Sequence, residues 1–482
     1  MRTCVRTRLE PLLARESVWQ RLIWVPQRVH EVRDPIHVFI HYDDDEQALI
    51  DSAPFQRLRY VHQLALSYLV YPGATHKRFE HSLGVMDLAS RIYDVVTRHD
   101  RVTDVSDVVP TAGSDPREHS YWRSTLRMAA LCHDIGHLPF SHAAEDDLLP
   151  DGWDHERITW EIIHSDVLAS VWNSIVPKPD PDHVGKLALG PAKVEKLRLG
   201  LSFNTWEAIL AEIIVGDVFG ADRMDYLLRD SLHAGVAYGR FDHNRLIDTL
   251  RVMPRPPQER GDEEAAEARE GEPALGCERG GLESAEAMQL ARYFMFAQVY
   301  YHSTRLIYDA HLKDFLVAWL PEGRFSTDVE GHLQLNDNVV LTEIAAAARD
   351  SDAPGHDPAR RIQSRDHFRV ADFRKPEDPP GAIRAIAEAA AEHFGPDNVR
   401  YGASPRRPDP PDFPVRQRDE KSYSSLSLSD VLRTLPASRD EYVFVERELR
   451  HQAKTWIGKE RERIIAAALA QADEEEEEEV RT

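Results

Sequence analysis

Residues 131–145 read LCHDIGHLPFSHAAE, three histidines and two carboxylates set among apolar or small residues. The adjacent His133 and Asp134 offer one neutral nitrogen and one anionic oxygen, about 100° apart on a helix of 3.6 residues per turn. Such a pair can chelate one divalent ion. Gly136 and Pro139 then break the helix, which lets His137, His142 and Glu145 turn back toward the same point. A helix end whose histidines cap carbonyls and whose charges are solvated would use the same residue types. The distinction rests on whether the rest of the chain supplies further ligands.

Two stretches do. In the segment that begins Tyr71-Pro72-Gly73, a turn is followed by a helix running to about His99. There His81, Val85, Leu88, Ile92 and Val95 recur at helical spacing, which places His81 on a buried stripe. A bond to a core carbonyl would satisfy that histidine, and so would a metal. After Gly216 and Gly220 another helix carries Asp222, Tyr226 and Arg229 on one face. His81, His133, Asp134 and Asp222 thus sit on three helices, and two imidazoles with two carboxylates suit Mn, Fe, Ni or Mg better than closed tetrahedral zinc. One ion so held lowers the pKa of a bound water and draws charge from a phosphoryl oxygen, both of which phosphoester hydrolysis needs. Arg57, Arg59, His62, Lys77, Arg78 and Arg223 flank these positions, and arginine presents the paired donors that phosphate oxygens favour. A second titratable set, His137, His142, Glu145 and His155, can supply the proton a leaving alkoxide requires.

The elements that must position these groups are mostly helical. Charged and apolar residues alternate at helical period over residues 121–130, 153–176, 205–215, 221–230 and 286–320, while 103–119 and 180–191 read as connections. Pro54 opens a helix that reads on through Leu64. The fold expected is mainly α: an N-terminal extension (1–31), a helical core (32–320) with a mobile insertion at about 254–284, a smaller α+β C-terminal region (321–470) and an acidic tail (471–482). With 59 basic and 82 acidic side chains the chain carries a formal charge of −23, which disfavours nucleic-acid binding. Three scattered cysteines and the lack of an apolar run of about 18 residues point to a soluble, cytoplasmic protein with no membrane partner.

At these residues the chain resembles the HD-domain phosphohydrolases, in particular the branch that contains the sterile-alpha-motif-and-HD-domain dNTP triphosphohydrolase and its bacterial relatives. Arg33-Asp34-Pro35, Phe55-Gln56-Arg57-Leu58-Arg59, Tyr71-Pro72-Gly73-Ala74, residues 78–85, the central stretch, residues 222–230 and Val299-Tyr300-Tyr301-His302 occur in family order, with an echo in Asp412-Phe413-Pro414-Val415. The resemblance implies that His81, His133, Asp134 and Asp222 hold one divalent metal, with further Mg on the triphosphate. It makes His137, His142, Glu145 and His155 the catalytic histidines and their acid. It assigns Arg78 and Arg223 to phosphate, Gln63, Tyr226 and Asp230 to the sugar hydroxyl, and Leu64 and Tyr300 to the sugar face where a 2′-hydroxyl would clash. The implied activity is hydrolysis of dNTPs to deoxynucleoside and triphosphate by a homo-oligomer, dimer or tetramer, open to a nucleotide effector and to roles in pool control or antiviral defence. Val38 departs from a glycine usual in bacterial relatives, and the regulatory sites of the animal enzyme are not recognisable. An HD-fold phosphodiesterase or phosphatase acting on a signalling nucleotide or nucleic-acid end, and a nucleotide-sensing regulatory protein, are the alternative functions.

Overall fold

The computed structural model describes residues 28–481 apart from 103–104, 144, 257–270, 406–411 and 437–438; the side chains of 142, 146 and 471–481 also lie outside the described set. The extension before residue 28 therefore lies outside it, as do the side chains of the acidic tail. The chain is mainly helical, with small sheets.

The backbone of the molecule is the Arg78–Val96 helix, in which 15 residues are buried, among them Leu83, Val85, Leu88 and Ile92. It packs against the Pro116–Cys132 helix on one side and the Ala221–Ala234 helix on another. Gly84 makes the second crossing possible. A Cβ there would lie 2.5 Å from Arg229 Nη2 and 2.7 Å from Asp225 Cγ on the neighbouring helix. The Thr205–Val215 and Pro181–Leu189 helices complete this layer. Residues 180–191, expected as a connection, are helical because Asp180 caps the helix, accepting from Asp182 N–H, and Pro181 occupies its first position. Likewise Asp115 and Pro116 start the central helix inside the expected 103–119 loop.

Ahead of this core, β1 (His30–Asp34) and β2 (Val38–Tyr42) form an antiparallel hairpin with Asp34 opposite Val38. Val38 holds φ at 69°, the left-handed region where a glycine carries no steric cost. The helix after Pro54 stops at Arg57 and tightens into a 3₁₀ turn, Leu58–Tyr60, so Gln63 and Leu64 lie on a loop.

The stretch expected as a mobile insertion contains structure: β3 (Leu250–Pro254) pairs antiparallel with β4 (Pro273–Glu278), whose Ala274, Leu275 and Cys277 are buried. Residues 257–270, the centre of that expectation, lie outside the described residues. The strand β4 also pairs in parallel with a strand far along the chain. With β5 (Arg369–Phe373), β6 (Val399–Ala403), β7 (Pro414–Arg416), β8 (Ser422–Ser424) and β9 (Glu441–Val445), the remaining order is β3-β4-β7-β8 in one sheet and β5-β9-β6 in another. The second sheet, the Ala382–Phe394 helix and the Arg450–Arg481 helix enclose a separate apolar cluster built on Ile383, Ile386, Val443, Val445 and Ile457. The long helix expected over 286–320 is two helices, Leu282–Met295 and Ser303–Trp319, separated by a π turn at Phe296–Tyr300 and a His302 cap. That break turns Tyr300 inward.

Candidate functional site

Three helices bring His81, His133 and Asp222 together, one potential ligand atom of each lying within 4.8 Å of the others. His81 comes from the first turn of the Arg78–Val96 helix and Asp222 from the first turn of Ala221–Ala234, while His133 caps the C-terminus of Pro116–Cys132. Asp134 reaches the same centre, with Oδ1 3.4 Å from His133 Nε2 and Oδ2 3.7 Å from His81 Nε2.

The far side of each imidazole is held. His133 Nδ1 lies 2.8 Å from the Ala130 carbonyl and His81 Nδ1 lies 2.8 Å from Asp225 Oδ2. Each therefore donates from Nδ1 and turns Nε2 toward the centre, the arrangement in which outer partners orient metal-ligating histidines. His133 Nε2 is buried and has no hydrogen-bond partner, Asp222 Oδ1 being 3.7 Å away. Burial disfavours charge on His81, but hydrogen bonds to Asp222 and Asp225 outweigh it and push its pKa up to about 10. The cluster thus favours a positive charge at its centre, and its nitrogen and oxygen donors fit a divalent ion of the Mn, Fe, Ni or Mg kind.

Behind His81 stands a network that sequence reading did not assign. Asp225 accepts from Arg229 Nε at 2.7 Å and pairs with His37 Nε2 at 2.7 Å, while Arg229 also donates to Asp34 Oδ2 at 2.8 Å. Asp34 Oδ1 accepts the N–H groups of Ile36 and His37, so the strained hairpin turn is what delivers His37. The signal in the sequence was charge at four-residue spacing, Asp225 to Arg229, on the helix that also carries Asp222.

The second titratable group lies beside the first. His137 and His155 stack with ring centres 3.9 Å apart, and Glu145 Oε1 lies 2.6 Å from His155 Nδ1. His137 Nε2 is 3.2 Å from Asp134 Oδ1, so Asp134 joins the two groups. Their environments push the histidines apart: burial, Arg78 and His155 hold His137 well below its ordinary value, whereas Glu145 overcomes burial and raises His155. Two adjacent imidazoles whose surroundings push their proton affinities in opposite directions are an arrangement suited to acid–base work. The His142 side chain lies outside the described residues.

Among the cationic candidates, Arg78 pairs with Asp134 through Nη1 and donates from Nε to Ser141 Oγ at 2.8 Å. Arg223 donates to the Gly216 carbonyl at 2.9 Å and pairs with Asp217. Arg292 falls in the 286–320 stretch, which the sequence marks only as helical. It lies close enough to Arg223 and Tyr226 that burial and the Arg223 charge lower its pKa, making it a further cation on this side. Arg57 and His62 do not remain available to an anion. Arg57 is buried and donates to the carbonyls of Leu335 and His137, and His62 Nδ1 pairs with Asp337 at 2.6 Å. Arg59 packs over the Phe79 ring.

Farther along the Asp222 face, at about 1.5 Å of rise per residue, come Tyr226 and Asp230. Asp230 Oδ2 accepts from Tyr300 OH at 2.7 Å and Oδ1 lies 2.7 Å from His76 Nε2, while the rings of Tyr226 and Tyr300 meet edge to face at 6.0 Å. Leu64 is buried nearby in sequence to Gln63, whose N–H donates to the His76 carbonyl at 3.0 Å and whose Oε1 is buried without a donor.

Comparison with known proteins identifies two family regions in the chain. The HD domain matches residues 78–171 and the HD associated region matches residues 241–395. Fold and site together are those of an HD domain with a His/Asp cluster that could hold a metal ion. The chain belongs to the HD-domain family: it is 30% identical over 366 residues to an uncharacterized protein of Bacillus subtilis, YwfO, covering 72% of each chain. It is 33% identical to an uncharacterized protein of Methanocaldococcus jannaschii over 60% of this chain and 50% of that one. It is 32% identical to the deoxynucleoside triphosphate triphosphohydrolase SAMHD1 of Bos taurus over 46% of this chain and 38% of that enzyme, so it spans well under two thirds of both. A solved structure of a hypothetical protein from Aquifex aeolicus matches with a TM-score of 0.69 and 29% identity, over 89% of this chain and 99% of that one. Among the described residues, no helix is long and apolar enough to cross a membrane.

Proposed function

We propose that the chain hydrolyses deoxynucleoside triphosphates to deoxynucleoside and inorganic triphosphate. The observation that carries this reading is the adjacency of two groups at Asp134: the His81, His133 and Asp222 cluster on one side, and on the other the stacked rings of His137 and His155, 3.9 Å apart, with Glu145 against His155. In this reading His81, His133, Asp134 and Asp222 hold one divalent ion, which when bound activates water and withdraws charge from a phosphoryl oxygen. Arg78 and Arg223, with Arg292, bind and orient the triphosphate by paired, charge-assisted hydrogen bonds. His155, paired with Glu145, gives a proton to the departing sugar oxygen, while His137 and His142 hold the phosphate chain in line. Asp230, Tyr226 and the unsatisfied amide oxygen of Gln63 bind the sugar hydroxyl. Leu64 and Tyr300 close the face on which a ribose would carry its extra oxygen. A homo-oligomer and a nucleotide effector belong to the same proposal, as does further Mg on the triphosphate.

The test is product identity. Purified protein loaded in turn with Mn, Fe, Ni or Mg is incubated with single and mixed dNTPs and the products are weighed by mass spectrometry. Deoxynucleoside with triphosphate is expected; a nucleoside monophosphate transfers the site to phosphodiester or pyrophosphate chemistry, and no cleavage of any dNTP refutes the reading.

A further inference from the structure

The loop that carries His137 is held from outside the helical core. Phe140 and Ser141 sit at φ 58° and 57°, conformations that persist only where the surroundings over-determine them. One constraint is Arg78, donating to Ser141 Oγ. The others come from residues 335–337, at the start of the Asp337–Ala347 helix, about two hundred residues further along the chain.

Asp337 is fully buried, and its carboxylate is divided between two segments of the site. Oδ1 accepts the Phe140 N–H at 2.8 Å, and Oδ2 accepts the His62 N–H at 2.8 Å while pairing with His62 Nδ1 at 2.6 Å. Beside it Arg57 bridges the same pieces, donating from Nε to the Leu335 carbonyl at 2.7 Å and from Nη1 to the His137 carbonyl at 2.9 Å. An aspartate in the first turn of a helix ordinarily complements that helix's own dipole. This one receives three donors from other segments, two of them on the residue that directly precedes Gln63.

We propose that Asp337 is a positioning residue: it fixes the His137–Ser141 turn against the His62–Leu64 segment, so that the region after the core sets the geometry of the reacting groups. The inference rests on the functional reading above, because it needs His137 and Arg78 to act on a substrate. A displacement of about 1 Å at a reacting group can reduce a rate about 100-fold, and a loop released at Phe140 has that freedom.

Asp337→Asn keeps the shape and the acceptor for Phe140 but replaces the second oxygen by a donor facing the His62 N–H. Asp337→Glu keeps both acceptors and moves them by one methylene. Both are measured as full-length, metal-loaded protein for kcat, KM, metal content and backbone amide exchange. For Asp337→Asn we expect kcat about 100-fold below wild type with KM within about threefold, unchanged metal content, and faster exchange confined to residues 137–141. Asp337→Glu should fall between the two. The proposal is overturned if kcat stays within about threefold of wild type although the 137–141 amides exchange faster, or if those amides keep wild-type exchange. It is equally overturned if exchange rises throughout the Arg78–Val96 helix as well, the mark of a merely structural role. A wild-type protein that cleaves no dNTP would sink the functional reading instead, and the exchange measurement would still report on the clamp.

Discussion

Gly84→Ala separates this site from a generic helical core. In an exposed helix the change would stabilise by about 1 kcal/mol, because glycine is the poorer helix former. Here the added methyl meets Asp225 and Arg229, with Arg229 Nη2 at 2.5 Å and Asp225 Cγ at 2.7 Å. Neither side chain has any exposed surface, so neither can swing away. Forcing an atom into such a space costs about 1–3 kcal/mol. The movement also weakens a carboxylate that serves His81 at 2.8 Å, His37 at 2.7 Å and Arg229 at 2.7 Å. One charge-assisted bond lost adds about 1.5–3 kcal/mol. Taking the helix term off leaves a net loss of about 1.5–5 kcal/mol in denaturant unfolding. Because Asp225 orients the His81 ring, metal affinity should fall about 10- to 100-fold in a competition titration with a chelator. A Gly84→Ala protein as stable as wild type, with unchanged metal affinity, would refute the claim that this helix crossing sets the ligand geometry.

Glu145→Gln removes the carboxylate that raises His155. A raised group is protonated below its folded-state pKa and loses the proton as pH rises through it. The alkaline limb of the kcat profile should therefore move to lower pH, with kcat near pH 8 reduced by about 100-fold; an unshifted limb excludes His155 as the proton donor. Val38→Gly relieves a β-branched residue at φ 69°. That strain costs about 1–2 kcal/mol, offset by about 0.5–1 kcal/mol for the freer unfolded chain, so the variant should be more stable by up to about 1.5 kcal/mol in the same unfolding assay. Tyr300→Phe deletes the 2.7 Å bond to Asp230 and leaves a buried acceptor short of a donor. KM for the sugar-bearing substrate should rise more than kcat falls, and triphosphate release should remain measurable.

Which parts of this arrangement could be read from residue order follows from the range of the interactions. His81 was legible because a histidine interrupts an otherwise apolar stripe, and His133 with Asp134 because both types stand at a helix end. The partners of those side chains were not legible, since His37, Asp225 and Arg229 meet only after three segments cross, and the four-residue spacing of Asp225 and Arg229 does not by itself tell a buried pair from a solvated one. Charge alone left Arg57 and His62 open between an anion contact and a solvated surface; both are instead turned toward residues 335–337, beside the 3₁₀ turn that follows Arg57. Composition misled at β4, where a buried strand is embedded in Pro-, Gly- and Glu-rich sequence and owes its order to pairing with β3 and β7. Asp180-Pro181 resembled a linker, although the same pair caps a helix when the following residues bury an apolar face.

The account depends on a single cation shared by three helices, and elemental analysis addresses that directly. Wild-type protein, His133→Ala and Asp222→Ala are purified side by side, dialysed against metal-free buffer and assayed for Mn, Fe, Ni and Mg. Close to one equivalent of a divalent ion per wild-type chain, lost from both variants while they stay folded, is the expected result. Metal content that is the same in all three proteins, whether full or nil, would contradict it.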